Sequence, residues 1–242
     1  MHKHSPLKFK AAWRDVLQSA RSLSARGVAA LEYAAMGWEV FPAPPGQKQS
    51  HKSEKHSGAK WGKTTDPEEI RRDFRKWPNA NVGIATGVAS GFFVIECDTI
   101  EGHDVDGLKS IQELEAKHGP LPETRMAISP SGSVHRHYRH PGCEIKIWNS
   151  ASQLAPGVDI KGDGGIVIAP PSVKPGVGQY NWLNEGPIAN APTWLIEAAS
   201  KQKEAKKSSS RAPAGKRTPA DKNFEPRHQL RPDVISKRSK RP

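Results

Sequence analysis

Two carboxylates follow a hydrophobic run near the middle of the chain. Residues 92–95 read Phe-Phe-Val-Ile, and Glu96 and Asp98 come directly after them. Such a run is typical of a buried strand, and side chains two residues apart on a strand point to the same face. Glu96 and Asp98 would therefore project side by side, with Cys97 on the opposite face. Neighbouring carboxylates repel each other, and a hard divalent cation relieves that repulsion. For this pair taken alone, an ordinary strand that ends in polar residues is the alternative.

A second segment, residues 129–140, combines a Ser/Gly turn with histidines and arginines. The turn exposes backbone N–H groups of the kind that bind phosphate. On the strand that follows, His135 and His137 would share one face, with Arg136 and Tyr138 on the other. A single histidine on a strand is usually structural, but three histidines and two arginines within six residues are hard to bury without partners. The segment therefore predicts an anionic partner such as phosphate.

A third segment places one more acid on a strand. Asp159 and Lys161 alternate with Val158 and Ile160, so both polar side chains would point away from the apolar face. By itself, a lone acid on a strand such as Asp159 would be interpreted from composition as a surface residue. Asp163, in the glycine-rich turn that follows, is interpreted as a turn residue.

The surrounding pattern predicts an α+β fold with a central, mostly antiparallel mixed sheet flanked by helices. Helices are expected at residues 11–17, from residue 27 to 36, from a cap at Asp66 to Trp77, and at residues 108–117. Asp106 is expected to cap the last of these rather than to join the acids. Residues 38–41 should form a short strand that Pro42 ends. The strands at 81–87 and 92–98 are expected to pair as an antiparallel hairpin.

The composition favours a polyanionic partner. Lys and Arg total 37 against 25 Asp and Glu, which gives a formal net charge of +12 over 242 residues. Much of this charge lies after about residue 201, where apolar residues are few and a disordered tail is expected. That tail would add salt-sensitive, non-specific DNA affinity, or else be a solvated linker with no specific partner.

Cysteine content and hydropathy exclude several classes of protein. Cys97 and Cys143 are the only cysteines, and they form neither a disulfide framework nor a zinc site. A reducing cytoplasmic location is therefore expected, without zinc. No apolar run is long enough to span a membrane, and the N-terminus lacks a secretory apolar core.

Taken in order, the three segments resemble the N-terminal primase-polymerase domain of the archaeo-eukaryotic primase superfamily, of the type found in plasmid and phage replication proteins. The family pattern has an acid-x-acid after a strand, a Ser-x-His after a turn, and an acid within a glycine-bounded strand. The matching positions here are Glu96 and Asp98, Ser133 and His135, and Asp159 with Lys161. The resemblance covers roughly residues 28–196 and includes the flanking segments 37–42, 81–87 and 169–172. The chain is accordingly divided into a helical N-terminal extension (1–27), the primase-polymerase domain (28–200) and a disordered basic tail (201–242).

The resemblance implies a metal-dependent nucleotidyltransferase that makes or extends primers. Glu96, Asp98 and Asp159 would hold two Mg²⁺ or Mn²⁺ ions. The triphosphate would be bound by His135 with Ser133, and Lys161 and Lys146 would add positive charge, with weaker expectations for Lys48 and Lys52. The implied partners are a single-stranded DNA template, a primer and nucleoside triphosphates. No Gly-x-x-x-x-Gly-Lys-Ser/Thr motif of a helicase is present, so the chain would be either a stand-alone primase-polymerase module or a truncated one, and a separate helicase is a further candidate partner.

Two departures from the family pattern keep an alternative open. The first acid is Glu96 where aspartate is usual, and Lys161 replaces the commoner arginine, which loses bidentate phosphate geometry but keeps the charge. A catalytically weak or inactive replication accessory protein that binds DNA or nucleotide is therefore the second interpretation. A metal-dependent nuclease would use the same acids, but the Ser-x-His segment argues against it.

Overall fold

The structure is a computed structural model that describes residues 23–52 and 62–209, with side chains as far as residue 201. The helix predicted at residues 11–17, residues 53–61 and the tail from residue 210 lie outside the described residues. Within the described part, the helices are α1 (Ala25–Ala35), α2 (Pro67–Lys76), α3 (Ile100–His103), α4 (Gly107–His118) and α5 (Thr193–Ser209). The last helix continues past residue 200, where the domain was expected to end.

Twelve strands are present in the described part of the chain. They are β1 (Val40–Ala43), β2 (Asn81–Ala85), β3 (Phe92–Cys97), β4 (Met126–Ile128), β5 (Val134–Arg139), β6 (Ser150–Ala155), β7 (Val158–Lys161), β8 (Ile166–Ala169), β9 (Val173–Lys174), β10 (Gly178–Gln179), β11 (Asn181–Asn184) and β12 (Ala189–Asn190).

The strands divide into a large sheet, a small sheet and a hairpin. The large sheet has the order β11-β4-β5-β3-β7-β6, and β12 pairs with β5 in parallel. The small sheet has the order β1-β2-β8, and β9 and β10 form a separate hairpin. The other pairings between these strands are antiparallel. The α+β class with a mostly antiparallel sheet is thus confirmed.

The predicted hairpin between the strands near residues 81 and 92 is wrong. β2 pairs with β1 and β8 in the small sheet, whereas β3 pairs with β5 and β7 in the large one. A single bridge between Gly87 and Phe92 is what remains of the hairpin. Gly87 and Gly91 both have positive φ, and the turn they form redirects the chain from one sheet to the other.

Pro42 does not end β1, which continues to Ala43. β1 is an edge strand of the small sheet, and proline is tolerated there because one side of an edge strand needs no ladder donor. The expected helix caps are confirmed: Asp66 accepts a hydrogen bond from the Glu68 amide, and Asp106 accepts one from the Lys109 amide.

β3 separates two hydrophobic cores. Phe93, Ile95 and Cys97 belong to the core that α4 and α5 cover. Phe92 and Val94 belong to a second core, which α1, α2 and residues of the small sheet complete. Glu96 is the next residue on this second face, so the acidic segment begins where that core ends. No helix of the described residues is long and apolar enough to cross a membrane.

Candidate active site

The centre of the candidate site is a row of three side chains on neighbouring strands. Glu96 on β3 lies directly opposite Asp159 on β7 and directly opposite His135 on β5. Strand alternation points all three to the same face, because Cys97, Val158 and Ile160 fill the core on the other side. Directly opposed acids destabilise a sheet unless a cation lies between them.

Lys161 supplies that cation. Its Nζ lies 3.0 Å from Oε2 of Glu96 and 2.8 Å from Oδ2 of Asp159. Nε2 of His135 and Nζ of Lys48 lie 3.4 Å and 3.5 Å from Oε1 of Glu96. Burial raises the pKa of Glu96, but His135 and the charges of Lys161 and Lys48 outweigh burial and hold it well below its usual range. Burial also lowers the pKa of Lys161, and the two acids reverse this effect and raise it. Glu96 is therefore ionised although it is 5% exposed.

Asp98 is held by close backbone packing just beyond the end of β3. Its amide donates to the Gly157 carbonyl, and its own carbonyl accepts from the Gly107 amide. A Cβ at position 107 would lie 2.1 Å from the Gly157 oxygen, so this approach requires glycine. Oδ1 of Asp98 accepts a hydrogen bond from Ser133 Oγ at 3.0 Å and lies 3.5 Å from Nε2 of His103. Both the backbone and the carboxylate of Asp98 are therefore positioned.

Asp159 is oriented by an irregularity in the neighbouring strand. The β6–β7 register shifts between Ser150 and Ala155, and Ser152 adopts a positive φ of 49°. The Ser152 amide consequently points at Oδ1 of Asp159, at 2.8 Å. With Lys161 on the other oxygen, both oxygens of this carboxylate have partners.

A basic cavity of about 120 Å³ opens beside Glu96. Lys48, His103 and Lys174 supply cationic or titratable groups to its wall, and Ser131 comes from the predicted turn. Asn81 fixes the backbone next to Lys174, since its side chain donates to the Val173 carbonyl and accepts from the Val173 amide. The cavity is smaller than the roughly 300–1,000 Å³ of typical small-molecule pockets, and it suits a phosphate-sized group.

The residues expected to bind triphosphate lie in different places. Ser133 and His135 are buried and contact Asp98 and Glu96 respectively. Lys161 bridges the two acids. Lys146 is exposed, lies 4.2 Å from the centroid of the Trp148 ring, and is not among the described contacts of the three acids.

The expected anionic partner is wrong for His137, whereas for His140 the anion is the Asp163 carboxylate of the chain itself rather than phosphate. His137 is buried among the rings of Phe92, Trp38 and Trp182, and burial lowers its pKa to about 3, with a further contribution from His135. Nε2 of His140 lies 3.3 Å from Asp163. Asp163 also accepts from the Val88 and Ile147 amides, so it does more than form its turn.

Sequence reasoning assigned no role to His103, Lys174 or Tyr180. Lys174 comes two residues after the segment Pro170-Pro171-Ser172, which ends the strand before it. This short distance from a recognised family segment is the sequence signal that could have indicated a position near the site. Tyr180 lines the basic cavity and also a larger groove of about 540 Å³ between α1 and β11. Burial raises the pKa of Tyr180, and the charge of Glu96 raises it further.

Glu96, Asp98 and Asp159 have the ligand type that Mg²⁺ or Mn²⁺ prefers, since hard cations bind carboxylate oxygens. Among the described residues, however, no group of three or more His, Cys, Asp or Glu side chains is arranged to hold a metal ion. Lys161 already neutralises Glu96 and Asp159. A divalent cation would therefore compete with this lysine for the same oxygens.

Comparison with known proteins identifies the family. A search of curated proteins found no match. The family model described as "Bifunctional DNA primase/polymerase, N-terminal" matches residues 30–194, which is more than half of the chain and includes every strand and acid of the site. The chain therefore belongs to the bifunctional DNA primase/polymerase N-terminal domain family.

Proposed function

We propose that this domain catalyses metal-dependent, template-directed nucleotidyl transfer, in primer synthesis, DNA extension or both. The observation that carries the proposal is the register of the large sheet, which sets Glu96 opposite Asp159 and places Asp98 two residues further on. Family membership supports the reaction class. Replication of a phage or plasmid, a cytoplasmic location and a separate helicase are parts of the same proposal.

Glu96, Asp98 and Asp159 would hold the metal ions. When bound, Mg²⁺ or Mn²⁺ would activate the primer 3′-hydroxyl and neutralise the charge of the triphosphate. Ser133 orients Asp98, and the Ser152 amide orients Asp159. Phosphoryl transfer depends mainly on positioning and electrostatics, and such fixed carboxylates meet that need.

One phosphate of the triphosphate would lie in the basic cavity. Lys48, Lys174 and His103 line it, and His135 and Lys161 flank its acidic wall at Glu96. Lys161 serves as the internal counter-ion of the acids before substrate binds. With a metal ion held by the acids, Lys161 would supply positive charge to the phosphates instead of to Glu96 and Asp159. The cavity is large enough for one phosphate group, so the other phosphates, the sugar and the base would lie at its mouth.

The test is primer synthesis and extension on single-stranded DNA with Mg²⁺ or Mn²⁺. Asp98→Ala and Asp159→Ala should each reduce product by more than about a thousandfold, because each removes a metal ligand. Glu113→Ala, which removes an exposed carboxylate of α4, is the matched control and should retain activity. Equal product from the parent and Asp98→Ala would refute the assignment.

An accessory role is the second candidate. It is favoured by Lys161, which already satisfies Glu96 and Asp159 without a metal. No product from the parent, with single-stranded DNA or nucleotide still bound, would support this role over catalysis.

A further inference from the structure

Helix α2 carries an exposed basic face. Arg72, Arg75 and Lys76 are exposed, and their i, i+3, i+4 spacing places them on one side of the helix. A run of charges on a helix is most often only a solvated surface. Three further features of this region point to a ligand.

The acids of α2 are already paired with other cations. Glu68 forms an ion pair with Arg71, and Glu69 and Asp73 both bind Lys52, at 2.6 Å and 2.7 Å. Among the described residues, none of Arg72, Arg75 and Lys76 forms an ion pair. Against the effect of burial, Lys52 and, to a smaller extent, the charge of Arg72 lower the pKa of Glu69. Glu69 and Asp73 are nevertheless bound to Lys52, so the exposed face remains positive.

Planar rings adjoin this face. His51 stacks on Trp77, the residue after α2, with ring centroids 5.0 Å apart and an angle of 5° between the planes. Lys76 Nζ lies 4.4 Å from the Trp77 ring centroid. Burial lowers the pKa of His51, which favours the neutral imidazole. Both rings are half-buried, and stacked rings beside cations are the usual means of holding bases of a single strand.

One short segment connects the rings to the catalytic acids. Lys48 contacts Glu96, and His51 follows three residues later. The Cα atoms of Lys48 and His51 are therefore at most about 11 Å apart, even for a fully extended backbone. Lys52 fixes the end of this segment to α2, and the His51 amide donates to the Pro42 carbonyl. The segment 48–52 thus runs from the acids to the basic face.

We propose that Arg72, Arg75 and Lys76, together with the His51–Trp77 ring pair, form a binding face for the single-stranded DNA template. The arginines and the lysine contact phosphates, and a base stacks on the outer side of His51. The strand then passes along segment 48–52 to the acids. This proposal deepens the proposed function and rests on it, since it locates the template.

The first test measures binding of a fluorescent single-stranded oligonucleotide to the full chain at several salt concentrations, without metal or nucleotide. Arg72→Ala/Arg75→Ala/Lys76→Ala should weaken binding at least tenfold at low salt. It should also make the slope of log K against log salt less negative by about 2, at about 0.7 per lost phosphate contact. The matched control is Lys109→Ala/Lys117→Ala/Arg139→Ala, which removes three exposed charges at other positions. Equal effects of the two triple variants would overturn the proposal, since total charge would then explain both.

The second test addresses stacking. His51→Ala should weaken binding about five- to tenfold, and His51→Phe, which keeps a planar ring, should restore it. His118→Ala is the control, because His118 also stacks on a tryptophan, Trp194, at a ring distance of 5.2 Å. Equal losses from His51→Ala and His51→Phe would refute stacking at this position.

These measurements separate the two proposals. If the α2 triple variant loses DNA binding as expected and the parent synthesises nothing, the binding face stands and the proposed catalysis fails. If the parent synthesises product and the α2 triple variant binds DNA like the parent, the binding face fails and catalysis stands.

Discussion

His135 and His137 lie two residues apart on the same face of β5, but their surroundings differ. His137 lies among aromatic rings next to Phe92 and Val94, and its Nδ1 has no hydrogen-bond partner among the described residues. His135 lies opposite Glu96, beside Lys161 and the basic cavity. Both imidazoles are less than 5% exposed, so burial does not distinguish them.

The difference lies in what each histidine contacts. At the His137 end the face is closed by α1 and the small sheet, and the imidazole fills space as an uncharged ring. Around His135 the hydrophobic core ends, and the neighbouring side chains are carboxylates and lysines. The candidate site therefore lies where apolar neighbours of the buried face end, two residues from a histidine that only packs in the core.

The largest expected effects are on stability for His137 and on primer synthesis for His135. His137→Ala should lower the free energy of unfolding by about 4 kcal/mol, because it leaves a ring-sized cavity in an aromatic core. His135→Ala should cost less stability but reduce synthesis more than tenfold, since it removes a partner of Glu96. Urea denaturation and primer extension on both variants would check this. A reversed pattern would contradict the assignment of roles.

The second effect is a loss of stability in acid. The pKa of His137 is about 3 when folded against an ordinary value of 6.5, so below pH 6.5 the unfolded chain binds a proton that the folded chain does not. This contribution is complete about one pH unit above 6.5 and falls by about 2 kcal/mol between pH 6.5 and 4.5, because the slope approaches about 1.4 kcal/mol per pH unit only about one unit below 6.5. Glu96 adds a further loss at lower pH, because its folded pKa is also depressed.

His137→Phe is the variant that isolates this pH dependence. It should flatten the stability profile between pH 6.5 and 4.5, whereas His118→Phe, at an exposed position, should leave the parent slope. The profile is measured by urea denaturation at a series of pH values. An unchanged slope in His137→Phe would show that another group titrates.

The smallest effect concerns a hydrogen-bond chain at the aromatic end. Tyr33 Oη donates to the Pro170 carbonyl at 2.6 Å and accepts from Trp182 Nε1 at 3.1 Å. Tyr33→Phe should cost about 1–2 kcal/mol of unfolding free energy, because two buried polar atoms lose their partner. Synthesis should be unchanged at temperatures where the variant is folded. A selective loss of activity would show that the aromatic end is coupled to the acids.

Local patterns predicted most of the fold and the order of the site. The alternation in Val158–Lys161 predicted which side of β7 carries Asp159, and the caps at Asp66 and Asp106 were readable because capping depends on a few adjacent residues. The division into two sheets was not predicted. Proximity in sequence suggested a hairpin, but pairing is decided by long-range partners such as β5 and β8.

The contacts within the site were less predictable than its position. Nothing local to Lys161 shows that it bridges Glu96 and Asp159, since the bridge depends on the β3–β7 register. Lys174 and Tyr180 reach the cavity through the β9–β10 hairpin, more than 70 residues after the first acid. His135 and His137 look equivalent in sequence, and only their cross-strand neighbours distinguish them.

The buried thiol of Cys97, on the core face of β3, can be used to follow opening of this strand. Cys97 lies between Glu96 and Asp98 in sequence but is buried on the opposite face, where burial raises its pKa to about 12. Thiolate is the reactive form, so alkylating reagents attack this side chain only when the strand is released from its helices. Cys143 is exposed, and we expect it to be alkylated in the native state. The alkylation rate of Cys97, compared with that of Cys143 in the same sample, would therefore measure how often β3, the strand that carries Glu96, opens.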